Sequence, residues 1–152
     1  MHPPPAAPTH FAAAGRRHLD DGQELFRQGR HVTADHLAGL AAECGLKAIL
    51  IDFLGATLSS RGIPQIQQGT GTFPLRHHLP ELWGQVGAYA TGRSGTQFIA
   101  LLTATNPFAS WDIADRYADG SGITQQSSKN HLTTAVTVTR IHEQARLNGS
   151  VS

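Results

Sequence analysis

The run at 34–58, ADHLAGLAAECGLKAILIDFLGATL, constrains this chain most: it contains no proline and is rich in Ala and Leu. Leu37, Leu40, Ala41, Cys44, Ala48 and Ile51 recur along it at helical spacing. Nowhere else is the chain so hydrophobic. The pattern therefore predicts a helix, opened by Thr33 or Asp35, at the centre of the fold. Ahead of it, Phe11, Ala14, Gly15, Leu19, Gly22, Leu25 and Phe26 mark one face of another helix, expected over 9–28. Thr9 is its expected cap and Gly29 its stop. Arg16, Arg17, Asp20, Gln23, Glu24 and Arg27 fill the opposite face, with Arg16/Asp20 and Arg17/Asp21 at ion-pair spacing. A short turn makes the two helices an αα-hairpin.

The remainder carries weaker signals. Segment 1–8 is rich in Pro and Ala and is expected to be disordered. Residues 61–78 hold Gly62, Pro64, Gly69, Gly71 and Pro74 and read as a long loop. Pro80 suits the first turn of a third helix reaching Ala90. Gly92–Ser94 interrupts before a short helix at 96–103, which Asn106-Pro107 ends. A brief helical piece at 111–117 stops at Gly120 and Gly122. Val136-Thr137-Val138-Thr139 alternates like a strand, but a lone strand would have no partner. The tail at 127–147 is therefore expected to be a final helix closed by Gly149. The expected architecture is all-α, an antiparallel bundle of four to five helices in a single domain over 9–149.

Composition removes several classes of function. Lys and Arg (12) nearly balance Asp and Glu (11), which argues against a strongly basic nucleic-acid binder. The single cysteine, Cys44, excludes an internal disulfide framework and a Cys-rich zinc module. It stands among Ala and Gly and reads as a small core residue. No apolar run is long enough to span a membrane, and no signal-peptide pattern opens the chain, so the cytoplasm is the expected location.

Nine histidines invite a metal reading, yet neither His-x3-His nor His-Glu-x2-His occurs, and no metal is expected. Gly69-Thr-Gly-Thr lacks the lysine of a phosphate-binding loop, and no Gly-x-Gly-x2-Gly follows a strand, which disfavours nucleotide-cofactor folds and a methyltransferase reading. No cofactor is expected. The most informative constellation is His36, Glu43 and Lys47, a polar stripe on the central helix. Glu43 and Lys47 form either a structural ion pair at the edge of the core or the floor of a polar pocket. Arg30 and His36 stand at an Arg-x5-His spacing. In WDIADRY, Trp111 and Tyr117 read as core or interface anchors beside Arg116, and Lys129 neighbours His131.

The stretch HFAAAGRRHLDDGQELFRQGRHVTADHLAGLAAECGLKAIL resembles the first two helices of small prokaryotic HEPN-domain proteins, and WDIADRY and the last helix resemble them more loosely. The resemblance implies a helical bundle, usually dimeric. Many such domains are metal-independent ribonucleases. Others bind nucleotides, accompany a nucleotidyltransferase as a toxin–antitoxin pair, or have lost activity. Active members carry Arg-x4–6-His near the last long helices, where arginine holds the scissile phosphate and histidine moves protons. This chain departs from that spacing, because fourteen residues separate Arg116 from His131. The resemblance implies Arg116, His131 and Glu43 as the catalytic set, with His36, Lys47, Arg30 and Lys129 binding substrate. The implied partners are a second copy of the chain, RNA or a nucleotide, and a cognate nucleotidyltransferase. The alternative is a catalytically inactive assembly module that presents Trp111, Tyr117 and the 61–78 loop to a protein partner.

Overall fold

The computed structural model describes residues 10–75, 78–91, 96–102 and 105–149. Segment 1–8, the Thr9 cap, the interruption at Gly92–Ser94 and the end of the fourth helix at Thr103 lie outside them. Among the described residues the chain forms five α-helices: α1 (Phe11–Arg27), α2 (His31–Phe53), α3 (Glu81–Thr91), α4 (Thr96–Leu102) and α5 (Gln125–Gly149). A 3-10 turn occupies Ile113–Tyr117, and three short strands follow α2.

Helix α2 is the centre, as its apolar run predicts, but it is enclosed on nearly every side rather than along one face. Its buried positions run through Ala34, Ala38, Ala42, Leu46, Ile49 and Leu50, while Leu37, Leu40, Cys44 and Ile51 are only half-buried. A helix that is apolar all round belongs inside. Each fully buried Leu or Ile contributes about 1.5–3 kcal/mol over its exposed state. The helix starts at His31, earlier than a Thr33 or Asp35 cap would place it, and its N-cap, Arg30, makes no side-chain capping bond. It ends at Phe53 instead of continuing to Leu58. Gly55 adopts φ +78, which turns the chain out of the helix, and the Ala56 N–H donates back to the Leu50 carbonyl.

Helix α1 packs against α2 in antiparallel fashion: Gly22 lies opposite Leu37, and Gly15 opposite Cys44. Along α5 the order is reversed. Asp35 meets His131, Gly45 meets Val138 and Asp52 meets His142, so α2 and α5 run in the same direction. This pair departs from the antiparallel expectation. The long chain between the two helices permits it, since a parallel neighbour needs a crossover rather than a turn. Val136–Thr139 lies within α5, as expected.

The stretch expected to be loop contains a small antiparallel sheet of β1 (Thr57–Leu58), β2 (Pro64–Gln68) and β3 (Gly71–Pro74), in the order β1-β2-β3. The all-α expectation is corrected accordingly. Gln68 pairs with Gly71, which leaves Gly69-Thr70 as a two-residue hairpin loop, and Gly69 supplies φ +60 at its first position. Ile66 and Pro64 face the core, while Phe73 remains half exposed.

Residues 105–117 close one end of the α2–α5 interface. Asp112 and Asp115 form a reciprocal capping box that fixes the 3-10 turn. Trp111 is buried against Gly39, where a Cβ would lie 1.9 Å from the indole. Only glycine at 39 leaves room for that ring. Trp111 is thus the core anchor expected of it, whereas Tyr117 is 80% exposed.

Candidate functional site

Helix α2 carries three carboxylates, and each takes a histidine from another part of the chain. The Asp35 Oδ1 accepts from His131 Nδ1 at 2.5 Å, with both side chains buried. The Phe108 ring stacks on His131 at 4.9 Å between centroids and shields it further. Glu43 accepts from the Leu79 backbone N–H at 2.9 Å and from His78 Nδ1 at 3.1 Å. Asp52 Oδ2 accepts from His142 Nε2 at 2.7 Å, at the floor of a cleft of about 480 Å³ between α1, α2 and α5. Two of the pairs bolt α2 to α5, and the third ties α2 to the entrance of α3. A buried carboxylate without such partners would cost several kcal/mol.

Four described histidines fall outside this scheme: His10 is exposed, His31 bonds to the Ile123 carbonyl, and the other two are His18 and His36. His18 on α1 and His36 on α2 lie close enough for each charge to act on the other, and neither makes a hydrogen bond. His36 stacks on Trp111, with centroids 5.8 Å apart and planes 16° from parallel. Trp111 is itself held by its indole N–H, which donates to the Asp35 carbonyl at 3.0 Å. The His36 ring is therefore positioned by packing, while its buried Nδ1 has no partner. Burial holds its pKa below the ordinary 6.5, and the nearby Arg116 guanidinium pushes in the same direction; Glu43, Asp115 and Asp35 oppose them. His18 is lowered as well, by burial first and then by Arg17, against the pull of Asp21. Both shifts favour the neutral imidazole, the form that accepts a proton. The Arg116 guanidinium packs 4.7 Å from the centre of the exposed Tyr117 ring. One edge of the molecule thus holds two imidazoles, a guanidinium and an aromatic face.

The residues singled out from sequence divide into those that meet and those that do not. The charges of Arg116 and Glu43 each act on His36. His131 spends its Nδ1 on Asp35 and shares no hydrogen bond or ring contact with Arg116. Glu43 and Lys47 form no ion pair, because the Leu79 amide and His78 occupy the carboxylate. Lys47 is instead buried with its ammonium 5.5 Å from the centre of the Phe11 ring. Desolvation lowers its pKa, partly offset by Glu43. Arg30 stands at the N-cap position of α2 without a capping bond and is exposed, and Lys129 borders a groove with Gln23, Phe26 and Arg27. Cys44 is half-buried, and its thiol is pushed up to about 11 by burial. On the surface, Arg16 reaches Glu143 on α5 rather than Asp20, and Arg17 and Asp21 form no ion pair.

The sequence pattern missed Asp52, His78, His142 and His18 as partners, and it read Asp35 only as a helix opener. No local motif signals these pairs, since the two helix-bridging ones join residues 96 and 90 positions apart. Among the described residues no three His, Cys, Asp or Glu side chains converge as a metal site requires, and no helix is long and apolar enough to cross a membrane. No protein-family model, curated protein or solved structure matches the chain.

Proposed function

We propose that this chain is a HEPN-like domain that binds and cuts RNA without a metal, through His36, His18 and Arg116. In this reading the helices form a bundle of that family and the small sheet is an elaboration upon it. The observation that carries the proposal is His36. The fold fixes its ring against Trp111 yet leaves its nitrogens without hydrogen bonds, beside an exposed arginine. Other histidines of this protein spend a ring nitrogen on a partner: His131, His78 and His142 on carboxylates and His31 on the Ile123 carbonyl.

Phosphoryl transfer to the neighbouring 2′-hydroxyl needs a cation and two proton carriers. The planar fork of Arg116 suits a phosphate in two places and stays charged. One neutral imidazole takes the 2′-hydroxyl proton as the 2′-oxygen bonds to phosphorus. The other imidazole, protonated, gives its proton to the departing 5′-oxygen as the old bond breaks. The two rings repel each other's charge, so the pair holds a single proton more readily than two. Tyr117 offers a face on which a base can stack. A second copy would bring the same edge into a composite cleft, and a cognate nucleotidyltransferase in the cytoplasm is the expected antitoxin.

The test is digestion of total RNA by the purified chain with EDTA present. Cutting by the parent, lost in His36→Ala and in Arg116→Ala with the helical circular dichroism spectrum kept, is the expected result. His131→Ala should instead lower the melting temperature. A parent that cuts nothing would favour the inactive assembly module, for which the 80% exposed Tyr117 is the specific observation.

A further inference from the structure

The cleft of about 480 Å³ between α1, α2 and α5 carries charges that the His36 edge does not use. Phe11, Ala48, Ile51 and Leu58 give it apolar walls. Arg16, Asp52, Glu143 and Arg146 line it as well. Arg16 and Glu143 neutralise each other in an ion pair. Asp52 and Arg146 stand on the same cleft with opposite charge, yet they do not pair with each other. Asp52 spends its Oδ2 on His142 at 2.7 Å, and among the described residues its Oδ1 has no hydrogen bond. Its side chain is 44% exposed and so is reachable from the cleft. Arg146 is exposed and makes no ion pair among the described residues.

His142 is buried one helical turn before Arg146, and its bond holds the Asp52 carboxylate in place. A carboxylate anchored in this way loses less freedom when it accepts a ligand's cation. The planar fork of Arg146 suits a ligand carboxylate in two places. The first turn of α1 borders the same cleft and adds a partial positive charge. From an anchored carboxylate and an uncommitted guanidinium over apolar walls, we infer that the cleft binds a free α-amino acid with an aliphatic side chain. Its ammonium donates to Asp52, its carboxylate accepts from Arg146, and its side chain lies along Phe11, Ile51 and Leu58. A zwitterion answers both charges at once, whereas a ligand with one charge answers only one of them. The volume falls within the range that small-ligand sites occupy.

Three matched probes test this on the full chain by isothermal titration calorimetry at pH 7. They are L-leucine, 4-methylpentanoate, which lacks the ammonium, and L-leucinamide, which lacks the charged carboxylate as the start of a peptide does. Leucine should give saturable heat at millimolar concentration. Each of the other two should bind about tenfold more weakly, the loss expected when one hydrogen bond between charged groups is removed. Arg146→Gln should weaken leucine and 4-methylpentanoate and spare leucinamide. Asp52→Asn, which keeps an acceptor for His142, should weaken leucine and leucinamide and spare 4-methylpentanoate. A general loss of structure would move all three probes together, so the crossed pattern reports contact with the ligand. Leucine that gives no heat, or that binds no more tightly than 4-methylpentanoate, would overturn the inference. Leucinamide binding as tightly as leucine would overturn it too, in favour of a peptide N-terminus as the occupant. Equal losses of all three probes in both variants would do the same for the assigned contacts.

Discussion

Replacing Gly39 with alanine probes the contact that organises the proposed site. Position 39 is inside α2, where alanine is favoured over glycine by about 0.8–1.0 kcal/mol on helix propensity alone. Against that gain stands the Trp111 indole: the added Cβ would lie 1.9 Å from Cε2, 2.2 Å from Cζ2 and 2.3 Å from Nε1. No Cβ tolerates such contacts, so the ring must move, and it is buried and bonded to the Asp35 carbonyl. Overpacking of this kind costs about 1–3 kcal/mol, and the lost indole hydrogen bond adds about 1 kcal/mol. The net expectation is a loss of about 1–3 kcal/mol, or about 2–12 °C in Tm for a chain of this size. Gly84→Ala is the control. Gly84 is exposed in the middle of α3 with nothing within 4 Å of its would-be Cβ, so the same change should raise stability by about 0.5–1 kcal/mol. Urea unfolding followed by far-ultraviolet circular dichroism reads both. In a Trp111→Ala background the Gly39→Ala penalty should vanish and become a small gain. If Gly39→Ala melts like Gly84→Ala in the parent background, Trp111 does not rest on α2 and the account of how His36 is positioned fails.

Asp35→Ala should cost about 3 kcal/mol by stranding a buried His131, and Asp52→Ala clearly less because the Asp52 side chain is 44% exposed; matched urea titrations rank the two. Lowered folded-state pKa values at His18 and His36 mean that the unfolded chain binds more protons just below pH 6.5, so their contribution is fully present above that pH and is lost as pH falls toward the folded values. His36→Phe, which keeps a ring against Trp111, should flatten the fall in Tm between pH 8 and pH 5.5; an unchanged slope would show that His36 is not the group responsible. With its pKa near 11, Cys44 should react with iodoacetamide at pH 8 far more slowly in the native chain than in urea, and equal rates would contradict its burial.

The first half of the fold was readable because its information is local. The 3.6-residue spacing from Phe11 to Phe26 and the uninterrupted apolar run around Leu46 identify α1 and α2 and their hairpin without knowledge of the rest. The sheet was hidden for a physical reason. Its two longer strands are Pro-Gln-Ile-Gln-Gln and Gly-Thr-Phe-Pro, and with Ile66 and Phe73 as their only large apolar residues they lack the alternation that marks a half-buried strand. Gly69-Thr70 between them was the one available signal. On the site side, Arg116 and His36 were legible as residue types, but their proximity depends on where residues 105–117 dock. The stripe of His36, Glu43 and Lys47 was correctly placed on one helix. Its bonding was not, because i,i+4 spacing permits an ion pair that the backbone amide of Leu79 out-competes.

The shared direction of α2 and α5 has a consequence for the order in which the protein assembles. Helices α1 and α2 close on each other across a three-residue connection at 28–30, a search that costs little chain entropy and finishes early. Helix α5 must arrive from the far side of an excursion of roughly seventy residues, because a neighbour running the same way cannot be delivered by a hairpin. Its seam with α2, including the Asp35–His131 and Asp52–His142 bonds, is non-local in every contact, so it belongs to the late and rate-limiting part of folding. Substitutions along that seam should therefore appear mainly as faster unfolding, while those between α1 and α2 should slow refolding.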